Sequence, residues 1–118
     1  MARRLKRDGI EARARQVVLQ VAGALTLTAD GILRSATRKE ATGRHIAFYV
    51  AHSACGLSLA QTAMAFGVDR STVAVACKRI EDRRDDPDFD QWMGALERSA
   101  AAAPVPAEPE ALAIMGGK

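Results

Sequence analysis

The sequence predicts an all-α fold of five to six helices that contains a helix-turn-helix, and three observations support this prediction. Apolar residues recur at intervals of three and four on both sides of Gly67. Gly67 itself stands where a first helix would end and where the backbone needs a positive φ angle. Aromatic residues are scarce while alanine is abundant, which favours close packing of helices over a β-sandwich.

The predicted helix-turn-helix is centred on residues 59–78. Leu59, Ala63 and Phe66 form the inner face of its first helix, and the small side chain of Ala63 allows a second helix to cross closely. Asp69 is the candidate N-cap of that second helix. The inner face of the second helix follows the spacing i, i+3, i+4, i+7 with Val73, Ala76, Cys77 and Ile80.

The opposite face of the second helix remains available for a ligand. Its N-terminal end is polar and basic, as in recognition helices that meet base edges in the major groove of DNA. An αα-hairpin inside another kind of helical domain is the alternative. The outer positions are Arg70, Ser71, Ala74, Val75 and Lys78.

The charge of the chain is unevenly distributed. Residues 1–80 contain 13 basic and 5 acidic side chains, a net charge of +8, whereas residues 81–118 contain 4 basic and 9 acidic side chains, a net charge of −5. A basic body of this kind attracts a polyanion, and its binding should weaken steeply with salt because neutralised phosphates release counterions.

A polar connection is predicted over residues 34–44, which lack apolar periodicity. A basic loop ahead of the main helices is well placed for contacts with phosphates or with the minor groove. A chance composition without a binding role is the alternative. The basic residues of this segment are Arg34, Arg38, Lys39 and Arg44.

The remaining helices complete a predicted domain over residues 9–98. A helix from Ile10 to Ala24 buries an apolar stripe, a short helical turn with Ile32 follows, and another helix runs from Arg44 to Ala54. A final helix begins with Asp86 as N-cap and with a proline in its first turn. Its apolar residues, which should close the core or, alternatively, bind a partner, are Phe89, Trp92, Met93 and Leu96.

Both ends of the chain are predicted to lack a packed core. Residues 1–8 read as a basic flexible arm, which either reaches DNA or only adds solubility. Residues 99–118 are rich in alanine and proline and read as a disordered tail. The tail ends in a short apolar cluster, typical of a docking peptide, with Leu112, Ile114 and Met115.

Several classes of function are disfavoured by the residues present. Cys55 and Cys77 have no second pair, and no ligands stand at metal spacing around His45 and His52, so neither a zinc module nor another metal site is expected. We found no nucleophile–base pair or paired carboxylates, so we expect no enzyme and no cofactor. No segment reaches transmembrane length, and we expect a cytoplasmic, nucleoid-associated protein without a membrane partner.

Four stretches resemble the C-terminal DNA-binding domain of DnaA, the bacterial replication initiator. They are Arg44-His-Ile-Ala, Gly56-Leu-Ser-Leu, Ala65-Phe-Gly-Val-Asp-Arg-Ser-Thr-Val and Ala76-Cys-Lys-Arg-Ile-Glu. The family has Arg-Asp-His-Thr-Thr-Val after its glycine turn and later Ala-Cys-Arg-Lys-Ile-Glu. The resemblance implies the Trp-repressor-like, all-α fold of that domain over about residues 10–98.

The resemblance also implies roles for individual residues. Asp69, Arg70 and Ser71 match the family's Asp-His-Thr, which contacts bases in the major groove, and Thr72 matches the threonine beside the backbone. In the basic loop, either Arg38 or Arg34 matches the family arginine that enters the minor groove. Lys78 and Arg79 match a basic pair late in the recognition helix.

The sequence departs from the family pattern at two points of the turn. One residue is missing between Gly67 and Asp69, and Arg70 replaces the family histidine. Because arginine favours a bidentate contact with guanine, we expect a changed base preference. The chain also contains no Gly-x-x-x-x-Gly-Lys-[Ser/Thr] motif, so we expect it to read duplex DNA without the ATP-driven steps of the initiator.

The sequence thus predicts a sequence-specific regulator of transcription that binds double-stranded DNA, similar to the DnaA-like component of gene transfer agent activators. One alternative is a replication modulator that competes for the initiator's binding sites. Another is an adaptor that recruits a protein partner, such as transcription machinery or a co-activator, through its last helix and residues 99–118.

Overall fold

The computed structural model describes residues 7–104, and within this range the chain forms helices and short connections without a β-strand. The predicted all-α fold is therefore confirmed. The six helices are α1 (Arg7–Leu25), α2 (Ala29–Arg34), α3 (Arg38–Ser53), α4 (Leu59–Phe66), α5 (Arg70–Arg83) and α6 (Pro87–Ala102).

The ends of the domain differ from the predicted bounds. Arg7 and Asp8 lie in α1 instead of a flexible arm, and α6 continues beyond residue 98 to Ala102. The Nη1 atom of Arg13 in α1 donates a hydrogen bond of 3.1 Å to the carbonyl oxygen of Ala103. This bond satisfies one of the free carbonyl groups at the end of α6 and helps to explain the longer helix. The rest of the predicted arm and tail, including the apolar cluster at residues 112–115, lies outside the described residues.

The predicted basic loop over residues 34–44 is wrong, because α3 already begins at Arg38. A capping box starts the helix: the amide of Glu40 donates to Thr37 Oγ1, and the amide of Thr37 donates to Glu40 Oε1, both at 3.1 Å. Such a cap is worth about 0.5–2 kcal/mol. The Thr-x-x-Glu signal was present in the sequence, but the polar composition of this turn concealed the helix.

Helix α3 forms the centre of the domain. It packs against all five of the other helices. Ile46, Phe48 and Val50 of α3 are buried, and with Tyr49 they supply the middle of the core.

The last helix closes the core, as predicted. Asp86 Oδ1 accepts a hydrogen bond of 3.0 Å from the amide of Asp88, and Pro87 lies in the first turn. Met93 is fully buried, and Leu96 is 8% exposed. Both belong to the apolar cluster shared by α1 and α3, so α6 is an integral part of the domain.

Candidate nucleic-acid interface

The turn between α4 and α5 has the geometry predicted for a helix-turn-helix. Gly67 adopts φ 67°, in the left-handed region that glycine occupies without strain. The amide of Val68 donates to the carbonyl oxygen of Ala63 at 3.0 Å, which is the bond pattern of a Schellman helix end. The glycine therefore ends α4 and redirects the chain into α5.

The inner face of helix α5 packs against an apolar cluster, and this packing determines which face of the helix is exposed. Val73, Ala76 and Ile80 are buried, as predicted, whereas Cys77 is half-buried. The rings of Phe48 in α3 and Phe66 in α4 meet edge-on with their centroids 4.9 Å apart. These contacts fix the rotation of α5 about its axis.

The residues predicted to contact bases lie together at the exposed N-terminal end of α5. Asp69, Arg70, Ser71 and Thr72 are all exposed. Asp69 occupies the N-cap position, but its side chain makes no capping hydrogen bond, so the predicted capping role is wrong. The amide of Thr72 bonds instead to the backbone oxygen of Asp69 at 3.0 Å. The carboxylate of Asp69 is consequently available to accept a hydrogen bond from a cytosine amino group.

The other three predicted residues of the outer face have different surroundings. Val75 is 52% exposed and presents methyl groups suited to contact with thymine. Ala74 is half-buried and lines a separate groove with Tyr49. Lys78 forms an ion pair of 2.9 Å with Asp82 one turn later, and the Asp82 carboxylate raises the pKa of Lys78. Both side chains of this pair are exposed, so the pair is weak and Lys78 can exchange Asp82 for an external anion.

A shallow groove between α3 and α5 brings Arg79 to the N-terminal part of the recognition face. Its lining residues are His45, Ser71, Thr72, Val75, Ala76 and Arg79. Sequence reasoning considered His45 only as a possible metal ligand and missed this location. Burial, together with the positive charges of Arg79 and Arg44, lowers the pKa of His45 below its ordinary value of 6.5. The imidazole is consequently neutral at pH 7 and can donate or accept a hydrogen bond at the groove.

Arg44 occupies an unusual position on α3 next to this groove. Its guanidinium lies 5.5 Å from the centre of the Phe48 ring, a cation–π contact. Its Nε atom is buried and has no hydrogen-bond partner within residues 7–104. A buried unsatisfied donor is costly, but because this atom is covered by protein, any contact of Arg44 with a phosphate would have to come from the rest of its guanidinium group.

The remaining basic residues lie at the junction of α2 and α3. Arg34 pairs with Asp30 at 2.7 Å, and both side chains are exposed. Arg38 and Lys39 stand in the first turn of α3 and form no ion pair within the described part of the chain. Two cations at the positive end of a helix dipole do not stabilise the helix, which points to a role in contacts with an anion. Arg38 precedes His45 by about two turns, or ~10 Å along α3.

The comparison with protein families decides the identity of this domain. Residues 14–80, more than half of the chain, match the family model of the bacterial DnaA protein helix-turn-helix. The chain belongs to this family. The resemblance inferred from the sequence is thereby confirmed, and the protein has the DNA-binding helix-turn-helix domain of the DnaA type.

A solved structure supports the DnaA-type fold. The crystal structure of a DNA replication initiation factor matches with a TM-score of 0.71 and 27% identity over 79% of this chain. The matched part is 29% of the initiation factor's own chain, so the present chain spans much less than two thirds of it. No curated protein matches the sequence.

Two further properties concern the described residues of this DnaA-type domain. Residues 7–104 include no group of three or more His, Cys, Asp or Glu side chains that could hold a metal ion. Over the same range, none of the helices combines the length and the apolar character required to cross a membrane.

Proposed function

We propose that the protein is a sequence-specific regulator of transcription that inserts α5 into the major groove of double-stranded DNA. One observation carries the proposal: the N-terminal half of α5 exposes Asp69, Arg70, Ser71 and Thr72 together, while its opposite face is locked into an apolar cluster. A helix rigidly held in this way can present its side chains to base edges in a defined register. The proposal places the protein on the nucleoid and assigns it no catalytic step.

The residues of the interface divide into those that read bases and those that bind phosphates. Arg70 can make a bidentate contact with O6 and N7 of guanine, and Asp69 can accept from a neighbouring cytosine. Val75 lies one turn further along α5 and can contact a thymine methyl group. The basic side chains assigned to phosphates or to the minor groove are Arg34, Arg38, Lys39, Arg44 and Arg79.

Lys78 has a secondary place in this arrangement because it lies about two turns beyond Arg70 on α5; its exposed pair with Asp82 is of the same kind as the pair of Arg34 with Asp30. Ala74 is half-buried, and its small side chain can only allow the backbone to approach DNA closely. These two residues belong to the predicted interface, and we expect their substitution to change affinity less than substitution of Arg70 or Arg79.

Selection of binding sites from random duplex DNA tests the proposal directly. We expect the full chain at near-physiological salt to enrich a motif that contains a guanine, and Arg70→Ala to lose the preference at that base pair. Arg98→Ala is the matched control, since Arg98 is an exposed arginine on α6. An identical motif for Arg70→Ala and for the unaltered chain would refute the assignment of Arg70.

Competition for the initiator's binding sites is a second candidate function, supported by the DnaA-type family match. It requires affinity for the initiator's own site, which Arg70 in place of the family histidine disfavours. Comparing the selected motif with that site separates a regulator with its own target from a competitor. A selected motif identical to the initiator's site would favour the competitor.

An adaptor that recruits a protein through its last helix and residues 99–118 is a third candidate. The apolar residues at the end of the chain support it, because a short apolar segment can dock on a partner. Met93 and Leu96 of α6 are already used in the core, so recruitment would depend on the end of the chain. Substituting Leu112, Ile114 and Met115 by glutamate should then abolish recruitment while leaving DNA affinity intact.

A further inference from the structure

We propose that the C-terminal apolar residues of the chain, residues 112–115, dock in a groove on the same domain. The groove lies between α1, α2 and α4 and has mostly apolar walls. Among the apolar residues that line it are Ala14, Val18, Leu19, Ala29, Leu33 and Phe66. Docking in this groove is independent of which DNA sequence the protein reads.

Two of the large apolar side chains that are exposed to solvent among the described residues line this groove. Leu19 of α1 is 64% exposed, and Leu33 of α2 is 48% exposed. Single exposed leucines are common on protein surfaces, but here two of them line the same concave and mostly apolar surface. Covering them would remove apolar area from water, which is favourable.

The last described residues leave the domain beside this groove. Ala103 and Pro104 line a second shallow groove, and Arg15 and Leu19 line both grooves. Gln20 of α1 helps to hold the end of α6 in this position, because its Nε2 atom donates to the carbonyl oxygen of Ser99 at 3.3 Å. The structure therefore places the start of the C-terminal segment directly next to the apolar surface.

The length of the segment is sufficient for docking on the same molecule. Leu112 follows Pro104 by eight residues, which span up to about 26 Å when extended at ~3.3 Å per residue. Leu19 is common to both grooves, so the distance to be covered is short. A tethered segment of this length has an effective concentration in the millimolar range, which favours it over a second copy of the chain.

The charge at the rim of the groove is opposite in sign to the charge of the segment. Arg15 is exposed and forms no ion pair with any residue in the range 7–104. Glu108 and Glu110 stand just ahead of the apolar cluster and can approach Arg15 as the segment passes from one groove to the other. Glu11, the acidic residue of the groove, already pairs with Arg7 at 3.5 Å.

Methyl NMR of the full chain tests the proposal. We expect nuclear Overhauser contacts between the methyl groups of Leu112, Ile114 and Met115 and those of Leu19 and Leu33. The triple substitution L112E/I114E/M115E should abolish these contacts and shift the methyl resonances of Leu19 and Leu33. Val75, an exposed apolar residue of α5 outside the groove, is the internal control and should not shift.

A sample that mixes labelled and unlabelled chains identifies the occupant. Contacts detected only within one chain support the proposal. Contacts between labelled and unlabelled chains would show docking on a second copy and would overturn it. Unchanged Leu19 and Leu33 resonances in the triple variant would also overturn it, and would leave the groove free for a different protein.

A charge exchange gives an independent test that does not alter the apolar residues. Arg15→Glu should weaken the contacts between the segment and the groove, and E108K/E110K in the same chain should restore them. If the contacts are lost in Arg15→Glu and are not restored in the combined variant, the ion pair between Arg15 and the segment is refuted. Arg98→Glu, an exposed arginine outside both grooves, is the control.

Discussion

The two ends of α5 are held by different kinds of interaction. The N-terminal half packs on an apolar cluster of Phe48, Ala63, Val73 and Ala76, and its polar side chains point outward. The C-terminal end is held by a polar network instead. There Tyr49 Oη donates to Glu81 at 2.7 Å, and Arg84 just beyond α5 bonds to Glu97 at 2.8 Å and to Asp90 at 2.6 Å.

The difference shows how one helix serves two purposes. Apolar packing requires no polar side chain from α5, so Asp69, Arg70 and Ser71 remain available for DNA. The polar network uses its charges within the protein and connects α5 to α3 and α6. Burial and the hydrogen bond to Glu81 raise the pKa of Tyr49, so its hydroxyl remains a donor to that carboxylate. The following experiments separate the two ends, in order of decreasing expected effect.

Removal of the aromatic ring behind the N-terminal half should have the largest effect. Phe48→Ala leaves a cavity beneath α5 and should lower the free energy of unfolding by about 3–5 kcal/mol, measured by urea denaturation. Phe89→Ala, at the half-buried edge of α6, is the control and should cost less. A loss below about 1 kcal/mol for Phe48→Ala would mean that the site repacks and that the cluster does not hold α5.

Removal of the guanine contact should affect binding without affecting stability. Arg70→Ala should weaken binding to the selected motif by about 1–3 kcal/mol. Arg79→Ala should instead weaken binding to all duplexes alike and lower the slope of log K against log salt by about one. Titrations with the motif and a scrambled duplex at several salt concentrations measure both effects. Equal losses on both duplexes for Arg70→Ala would move that residue to the phosphate-binding group.

Removal of the polar anchor should affect stability without affecting base preference. Arg84→Met leaves Glu97 and Asp90 without their partner and should cost about 1–2 kcal/mol, since hydrogen bonds to charged groups are stronger than neutral ones and the network is partly exposed. Thermal and urea unfolding measure the loss, with Arg98→Met as the control. A changed motif in binding-site selection would contradict the separation of the two ends.

A titration of stability with pH should detect the environment of His45, with the smallest effect. The pKa of His45 is lowered in the folded protein, so the unfolded state binds a proton first as the pH falls below about 6.5. This contribution to stability is therefore present above that pH and is lost between the unfolded pKa and the lower folded one. His45→Gln should flatten the decline in this window, and an unchanged slope would mean that the imidazole is equally protonated in both states.

Local patterns in the sequence were sufficient for much of the fold and for the centre of the site. The spacing of Val73, Ala76 and Ile80 predicted the buried face of α5, and the structure confirms it. Gly67 and the Asp86–Pro87 pair predicted a helix end and a helix start for local steric reasons. The start of α3 at Arg38 is also encoded locally, in Thr37 and Glu40, but the polar composition of residues 34–44 predicts a loop there.

The sequence by itself determined that a helix-turn-helix forms and which residues face outward on α5, because helical periodicity and turn chemistry act between near neighbours. The tertiary structure decided which groups from different helices meet. It placed His45 of α3 beside Arg79 of α5, and it joined Tyr49 of α3 to Glu81 of α5 and to Arg84. Periodicity assigns a residue to a face, but its partners depend on side-chain geometry and on elements far apart in the chain, and no local pattern contains that information.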